Sequence, residues 1–318
     1  PEDNYSGMGV PMHGYATSTP ATDGKAIYVF LAKSGMAAFD LKGKKLWQTS
    51  VGSSSSRKRW GSSSSPIIHG DLVFINALQE GHKIFALNKA DGKIAWQWGP
   101  DAYSSYQDAY GTPSLVKAKN GVELVLAVPG EIWSFDAKKG NITWYAYTNV
   151  GAGRGNVSPS AITGGDALYV FGGRPGSGLA VKLGGNGEVK ESGKLWTSRN
   201  SPYVATPVYH EGHLYWMDRS GYAVCLNAST GREAFRERLK SNGRSTPKFY
   251  ASPVVVDGKI ISVSRNAGAF VLEAKPKFKQ LAQNTFASDR SVFNASPAVS
   301  NNRLFLRSDT HLYCVAGE

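Results

Sequence analysis

The side chains best suited to binding chemistry in this sequence are arginines that lie close to aromatic residues in serine- and glycine-rich stretches. In the stretch SSSSRKRWGSSSSP, residues 53–66, Arg57 and Arg59 stand beside Trp60 between two serine runs. A guanidinium group offers a planar fork of donors that matches carboxylate, sulfate or phosphate, and it stacks on aromatic rings. These residues indicate a surface that recognises an anionic sugar, an acidic peptide or an acidic protein loop.

Patterns typical of catalytic or metal sites do not occur in the sequence. The six histidines show no HExxH motif and no recurring spacing except for His210 and His213, which flank a hairpin turn. The glycine-rich stretch at residues 151–156 is not followed by a helical pattern, as a dinucleotide-binding loop would require. No serine lies in a G-x-S-x-G elbow. We therefore expect no metal site and no catalytic residue.

A repeated unit positions these loops. Seven Ser/Thr-Pro pairs recur at a regular interval, with their prolines 44 to 48 residues apart. The prolines are Pro20, Pro66, Pro113, Pro159, Pro207, Pro253 and Pro297. Each pair precedes a short apolar run, in most repeats a turn dipeptide such as Asp257-Gly258, and then two further β-rich runs. This regularity predicts a repeated unit of short antiparallel strands, which we call A, B, C and D.

A second hairpin closes several of the repeats, with a glycine four residues before an aromatic residue in strand D, as in Gly43 and Trp47. No helical pattern of 10 to 15 residues separates the strands. A solenoid of stacked hairpins would also explain the period, but an aromatic residue at a constant offset favours a β-propeller in which it docks between neighbouring blades. The predicted docking residues are Trp47, Trp96, Trp144 and Trp196. In the fourth repeat a glycine-rich stretch, residues 183–196, predicts a longer connection from strand C to strand D.

The arginines concentrate in the connections that emerge on one face of such blades, the D-to-A loops and the B-to-C bends. Ten of the fourteen arginines fall there, so the segment at residues 53–66 is predicted to be a D-to-A loop rather than a linker. The predicted binding residues are Arg57, Arg59, Trp60, Tyr106, Arg154, Arg199, Tyr203, Arg244 and Arg290. In the alternative interpretation, the arginines pair with acids on the same face and tie the loops together. Those acids are Glu80, Asp101, Asp108, Asp218, Asp289 and Asp309.

Charge and cysteine content narrow the classes of partner and site. The formal net charge of +12 favours acidic partners, although binding of nucleic acid would be supported by charge alone and is not our expectation. No run of 18 apolar residues is present, so no membrane span is predicted. Cys225 and Cys314 occupy equivalent strand C positions two repeats apart, too distant for a disulfide. We expect both to be buried thiols.

The combination of Ser/Thr-Pro, the Asp-Gly hairpin, the aromatic-Asp/Asn turn and Gly-x-x-x-Trp resembles the PQQ-like (pyrroloquinoline-quinone-type) repeat of quinoprotein dehydrogenases and BamB-like outer membrane assembly factors. The resemblance implies an all-β propeller of four-stranded antiparallel blades over residues 16–318, after a lead of residues 1–15. Seven repeats are visible, and the seventh ends after strand C. It therefore implies seven or eight blades, with an N-terminal strand or blade missing in the second case.

What the resemblance implies for function is a non-catalytic scaffold, exported to the periplasm or cell envelope, that binds an envelope protein or an anionic glycan without a cofactor. The alternative is a quinoprotein-type oxidoreductase with PQQ and calcium. Those enzymes carry adjacent cysteines and acidic calcium ligands, and this sequence has no adjacent cysteines. The oligomeric state does not follow from the sequence.

Overall fold

The computed structural model describes residues 17–56, 58–100, 105–119, 121–153, 155–173, 176–243, 245–286 and 288–316. Within these ranges the strands form seven sheets built from antiparallel hairpins, and the helical content is limited to three short 3-10 turns. The fold is a seven-bladed, all-β propeller, as the repeat predicts. No helix in the described ranges is both long and apolar enough to cross a bilayer. The predicted lead, residues 1–15, lies outside the described residues.

The chain divides into two compact units, and the first comprises the described residues of Pro1–Ala161 together with Leu183–Gly193. It holds three sheets. Their strands are β1 (Ala21–Thr22), β2 (Ala26–Phe30), β3 (Met36–Asp40) and β4 (Lys45–Thr49); β5 (Ile67–His69), β6 (Leu72–Ala77), β7 (Lys83–Asn88) and β8 (Ile94–Trp98); and β9 (Ser114–Ala118), β10 (Gly121–Val128), β11 (Glu131–Asp136) and β12 (Ile142–Tyr147).

The second unit comprises Ile162–Lys182 and the described residues of Lys194–Glu318. It holds four sheets. Their strands are β13 (Ile162–Gly164), β14 (Ala167–Gly172), β15 (Ser177–Lys182) and β17 (Lys194–Ser198); β18 (Val208–His210), β19 (His213–Met217), β20 (Tyr222–Asn227) and β21 (Glu233–Arg238); β22 (Val254–Val256), β23 (Lys259–Ser264), β24 (Gly268–Glu273) and β25 (Gln280–Asn284); and β26 (Ala298–Ser300), β27 (Arg303–Arg307) and β28 (Leu312–Ala316). The strand β16 (Gly187–Glu188) belongs to the first unit.

The Ser/Thr residues of the repeat marker link neighbouring sheets through their hydroxyl groups. In the first unit, the Thr19 N–H donates to Ser65 Oγ at 2.9 Å and the Ser65 N–H donates to Thr112 Oγ1 at 3.0 Å. The Thr112 N–H then donates to Ser160 Oγ at 3.0 Å, so the Ser158-Pro159 pair is not the structural equivalent of the other markers. Strand A of that repeat, β13, begins two residues later than the marker predicts. Ser160 therefore takes the linking position.

The glycine and the tryptophan of the Gly-x-x-x-Trp motif contact each other between successive sheets. Trp47 Nε1 donates to the Lys89 carbonyl at 2.8 Å in the first unit, and Trp196 Nε1 donates to the Ala228 carbonyl at 2.8 Å in the second. A Cβ at Gly92, which has φ +70, would lie 2.5 Å from the Trp47 ring. The motif therefore needs glycine because the indole of the preceding sheet occupies the side-chain space.

Trp144 departs from this arrangement, because its Nε1 donates to Glu123 Oε2 at 2.8 Å within its own sheet. The glycine-rich connection between β15 and β17 is longer than the others, as predicted, and its strand β16 pairs in parallel with β12 at Trp144. The Val189 N–H adds a bond to the Tyr145 carbonyl at 2.8 Å. Trp144 is fully buried as a result.

The two cysteines occupy equivalent strand positions but different environments. Cys225 in β20 lies opposite Phe235 and is buried, and burial raises the pKa of its thiol to about 12. Cys314 in β28 is exposed, so the prediction of two buried thiols is wrong for this residue. Among the described residues no fourth strand follows β28 in its sheet, and nothing covers the position that Phe235 covers for Cys225. Both thiols are free.

Candidate functional site

In each unit, the loops that lead from one sheet to the next contact the bends between the second and third strands. In the first unit the Gly130 N–H donates to the Val150 carbonyl at 2.9 Å. In the second unit the Leu239 N–H donates to the Gly221 carbonyl at 2.9 Å, and the Arg265 N–H donates to the Lys248 carbonyl at 2.8 Å. The D-to-A loops and B-to-C bends are therefore held together at the ends of neighbouring strands.

In the first unit, Lys58 rather than an arginine organises the loop at residues 53–66. Its Nζ lies 3.2 Å from Asp108 Oδ2 and 5.2 Å from the centre of the Trp60 ring, which in turn contacts the Tyr110 ring at 5.7 Å. Arg59 is exposed and has φ +52, and its guanidinium forms no ion pair with a described residue. Trp60 is thus a partly buried packing residue, while Arg59 extends toward solvent.

Tyr106, a predicted binding residue, is engaged in contacts within the first unit. Its hydroxyl donates to Glu131 Oε1 at 2.6 Å, and its ring meets Trp133 edge-on at 4.7 Å. The other Glu131 oxygen accepts the Trp133 indole N–H at 2.7 Å. Burial, together with the Glu131 carboxylate, raises the pKa of Tyr106 to about 12. These contacts hold Tyr106 in place and leave its hydroxyl already bonded.

In the second unit, two predicted residues line one cavity of about 270 Å³. Arg199 and Tyr203 come from the loop after β17, and Arg219 comes from the bend after β19. Arg236, in β21, completes the wall, although its place in strand D had excluded it from the predicted face. We call this cavity the Arg-Tyr groove. Arg290 is exposed elsewhere in the second unit and is not among its lining residues.

The carboxylate that lines the groove is already occupied by other groups. Asp218 is buried, and one of its oxygens accepts the N–H groups of Ser220 at 2.8 Å and Tyr222 at 3.0 Å. Its other oxygen accepts a hydrogen bond from Arg236 Nη2 at 2.9 Å. Arg236 also lies over the Tyr222 ring at 4.7 Å. Asp218 therefore neutralises Arg236 and holds the bend, and it does not compensate the other two arginines.

The aromatic side of the groove continues beyond its lining residues. Arg219 lies over the Tyr203 ring at 5.0 Å, and the Tyr203 ring meets the Tyr250 ring edge-on at 5.9 Å. Arg265 lies over the Tyr250 ring at 4.5 Å. Tyr203 has φ +78, a conformation that is strained for a residue other than glycine and that is found disproportionately at binding sites.

Among the described residues, the arginines of the predicted face lack the ion pairs that the loop-tying interpretation expects. None of their guanidinium groups forms an ion pair with a carboxylate in the described part of the chain. These arginines are Arg59, Arg199, Arg219, Arg265, Arg290 and Arg307. Asp108 pairs with Lys58 instead, Asp218 pairs with Arg236, and Asp289 accepts hydrogen bonds from Ser291, Ser308 and Tyr313. The other four, Arg57, Arg154, Arg174 and Arg244, lie outside the described residues.

A calcium or quinone site would need a set of converging donors. Over the described ranges, no three His, Cys, Asp or Glu side chains come together in a way that could hold a metal ion. The described residues thus do not fit the acidic ligand set of a quinoprotein enzyme, and we derive no chemical step through PQQ or calcium.

Comparison with known proteins agrees with the repeat and the fold. The family described as outer membrane protein assembly factor BamB matches residues 10–119, 77–198 and 187–276. The BamB of Burkholderia pseudomallei is 30% identical over 236 residues, which are 72% of this chain and 57% of that protein. The BamB of Salmonella typhimurium is 26% identical over 210 residues, which are 65% of this chain and 47% of that protein.

A solved structure shows the same architecture at lower identity. The crystal structure of BamB from Moraxella catarrhalis superposes with a TM-score of 0.70 at 16% identity, covering 92% of this chain and 82% of that one. This chain spans about half the length of the curated relatives that it matches. The family matches extend over most of the described sheets, and with the Ser/Thr hydroxyl links and the Gly-Trp contacts they show that this chain belongs to the BamB family of PQQ-like β-propellers.

Proposed function

We propose that this chain is a non-catalytic binding scaffold of the bacterial cell envelope that holds an acidic segment of a partner protein in the Arg-Tyr groove. The observation that carries the proposal is the uncompensated charge of Arg199 and Arg219. Both line the groove and are exposed, while Asp218 is occupied by Arg236 and by two backbone N–H groups.

The groove has the features that make anion recognition by arginine effective. A guanidinium can donate two parallel hydrogen bonds to one carboxylate, and Arg219 is exposed while it lies over the Tyr203 ring at 5.0 Å. The contact with the ring restricts the side chain before the partner arrives, which lowers the entropy cost of binding. A carboxylate is therefore the expected contact group.

The family supports the proposed envelope location and the proposed class of partner. The relatives that match this chain are named outer membrane protein assembly factors, and we propose a corresponding periplasmic role in which the partner is an envelope protein. An anionic glycan offers similar carboxylates without a peptide backbone. It is therefore the main competing ligand in the test.

The test measures binding of three labelled probes by fluorescence anisotropy: a Glu/Asp-rich peptide, its Gln/Asn counterpart, and an oligomer of uronic acids. We expect the acidic peptide to bind, and the double variant Arg199→Glu with Arg219→Glu to weaken that binding at least about 30-fold, because the carboxylates would face like charges. The matched control is Arg232→Glu, since Arg232 is exposed in the hairpin at the other end of the sheet that carries Arg219.

Two results would contradict the proposal. Equal loss in the Arg232→Glu variant would show that only overall charge matters, and tighter binding of the uronic acid oligomer would assign the groove to a glycan. The oxidoreductase alternative has its own measurement, the melting temperature with PQQ and calcium. A saturable, calcium-dependent rise of the melting temperature with PQQ would support the quinoprotein alternative and contradict the scaffold proposal.

A further inference from the structure

Two equivalent Arg-Tyr pairs stand on neighbouring sheets of the second unit, and they set the form of the bound segment. We propose that the partner segment is an extended acidic peptide that places one carboxylate on Arg219 and a second on Arg265. This inference rests on the proposed function of the Arg-Tyr groove. It adds that the site continues past the groove onto the next sheet.

The two pairs are built from the same elements of successive repeats. Arg219 follows β19 and Arg265 follows β23, so both lie in B-to-C bends. Tyr203 and Tyr250 lie in the loops that precede β18 and β22. Each arginine covers its tyrosine, at 5.0 Å in the first pair and 4.5 Å in the second, and the two tyrosine rings touch at 5.9 Å. The pairs therefore form one continuous row.

Backbone hydrogen bonds hold both bends in place. The N–H of Arg265 donates to the Lys248 carbonyl at 2.8 Å, and its carbonyl accepts the Phe293 N–H at 3.3 Å. The bend that carries Arg219 is fixed by the Asp218 carboxylate, through the N–H groups of Ser220 and Tyr222. Two cations on fixed supports favour a ligand whose charges have a defined spacing.

The second arginine also has unused donor capacity. Its Nε is buried, and it has no hydrogen-bond acceptor among the described residues. Arg265 forms no ion pair within those residues either, so its charge is as uncompensated as that of Arg219. A buried donor without an acceptor is unusual in folded proteins, and a rotation of the Arg265 side chain toward an incoming carboxylate would give its Nε an acceptor.

The contact distances limit the spacing of the two carboxylates. The three contacts of the row place the two guanidinium carbons no farther apart than a stretched chain of about five residues can reach, which is about 16 Å. In an extended peptide, residues four apart point to the same side and lie about 13 Å from each other. This upper limit allows same-side acidic residues two or four positions apart and excludes six positions apart, which is about 20 Å. The spacing proposed is the longer one that the limit allows, with acidic residues at i and about i+4.

The experiment compares a labelled peptide that has two acidic residues four apart, in a Gly/Ser/Thr background, with two peptides that keep only one of them. We expect the two-acid peptide to bind the unaltered protein at least about 10-fold more tightly, because the second contact forms within the complex. Arg265→Gln should remove that advantage and change the affinity for either one-acid peptide by no more than about 2-fold.

Further variants distinguish the roles of the Arg265 guanidinium and the Tyr250 ring from a folding defect. Arg265→Lys keeps the charge without the planar fork and should keep only part of the advantage. Tyr250→Phe keeps the ring and should bind like the unaltered protein. If Tyr250→Phe lost the advantage while its melting temperature was unchanged, the tyrosine hydroxyl would be the second contact, and the assignment to Arg265 would be wrong.

The outcomes distinguish this inference from the proposed function. If Arg199→Glu with Arg219→Glu abolishes binding while Arg265→Gln leaves the advantage of the two-acid peptide intact, the groove binds acidic peptides alone and the extended site is wrong. If none of the acidic peptides binds the unaltered protein, both the proposed function and this inference are wrong. A peptide with the acids adjacent that matches the affinity of the i, i+4 peptide would also overturn the spacing.

Discussion

Asp218 shows how a single residue sets both the local structure and the charge of the groove. Its carboxylate is buried, joins two backbone N–H groups of the bend and forms the ion pair with Arg236. A carboxylate bound in this way is not available to Arg199 or Arg219. The positive potential of the groove is therefore a consequence of geometry and would not follow from counting charges.

Replacement of Asp218 separates its two roles. Asp218→Asn keeps an oxygen for the N–H groups of Ser220 and Tyr222 but loses the ion pair, so the free energy of unfolding should fall by only about 1 kcal/mol. Asp218→Ala leaves both N–H groups without their acceptor and should cost about 2–3 kcal/mol. Urea denaturation measures both values. Equal losses in the two variants would show that the turn contacts do not matter.

Because of Asp23, the free energy of unfolding is expected to fall as the pH is lowered. The N–H groups of Ala26 and Lys25 donate to its carboxylate at 3.0 Å, as does Lys89 Nζ, and these bonds hold the pKa of Asp23 well below its usual range. The unfolded chain therefore binds a proton at higher pH than the folded chain does. The stabilisation is complete above the ordinary Asp pKa of about 4 and is lost as the pH falls below that value.

The measurement compares the unaltered protein with Asp23→Asn. Between about pH 6 and about pH 3, the free energy of unfolding should fall more steeply for the unaltered protein, because the variant has no carboxylate to protonate at this position. Parallel profiles would show that Asp23 does not contribute to acid destabilisation.

The two cysteines are expected to differ in their reactivity, because one is exposed and the other is buried. Cys314 is exposed, whereas Cys225 is buried with a pKa raised to about 12, and only a thiolate reacts quickly with a disulfide reagent. Under native conditions, we expect one thiol to react with dithionitrobenzoate, and Cys314→Ser should abolish this fast reaction. Two fast thiols in the native protein would contradict the burial of Cys225.

At the scale of the element, the Gly-x-x-x-Trp hairpin can be tested with two glycines that share a motif position. Gly43 has φ +85, and no atom of a described residue lies within 4 Å of an added Cβ, whereas a Cβ at Gly92 would lie 2.5 Å from the Trp47 ring. Gly43→Ala should cost about 1 kcal/mol through its left-handed backbone alone. Gly92→Ala should cost about 1–3 kcal/mol more, because the indole must also move.

The difference between the two alanine variants measures the contact between sheets, since both glycines have a left-handed φ, +85 at Gly43 and +70 at Gly92. Chemical denaturation of each variant gives the two values. If Gly43→Ala and Gly92→Ala were equally destabilising, Trp47 would not be the reason for the glycine at position 92.

The same scale explains why Trp144 needs a different partner. Its sheet is followed by the repeat with the long glycine-rich connection, so no tight glycine turn of the usual kind receives the indole. The structure instead places β16 beside β12 and directs the Trp144 N–H to Glu123. A change in the length of one hairpin is thus compensated by a strand added to the neighbouring sheet.

For the whole molecule, the net charge of +12 predicts a strong dependence of binding on ionic strength. Screening lengths fall to about 8 Å at physiological salt, so attraction of an acidic peptide to exposed arginines should weaken as salt rises. Between about 0.05 M and about 0.3 M salt we expect the affinity for the two-acid peptide to fall several-fold. Arg265→Gln should reduce that dependence, and an unchanged slope would place the second contact elsewhere.

The fold followed from the sequence because its cause is local and repeated. Ser/Thr-Pro pairs, hairpin turns and Gly-x-x-x-Trp recur at a nearly constant period, and short range geometry makes each copy a set of antiparallel strands. The one shift in register, with Ser160 replacing Ser158 as the linking hydroxyl, occurs where two additional residues separate the proline from the strand. A proline marker does not reveal which hydroxyl accepts the bond.

The sequence by itself determined the blade architecture and the loops in which the arginines lie. Only the tertiary structure decided that Lys58 and Arg236 form ion pairs with Asp108 and Asp218. It also left Arg199, Arg219 and Arg265 without an ion pair among the described residues. The Tyr203 and Tyr250 rings, which contact each other, connect Arg219 with Arg265. The physical reason is that strand formation depends on neighbours in the chain. Charge compensation, in contrast, depends on which side chains of separate strands and loops come within a few ångströms of each other.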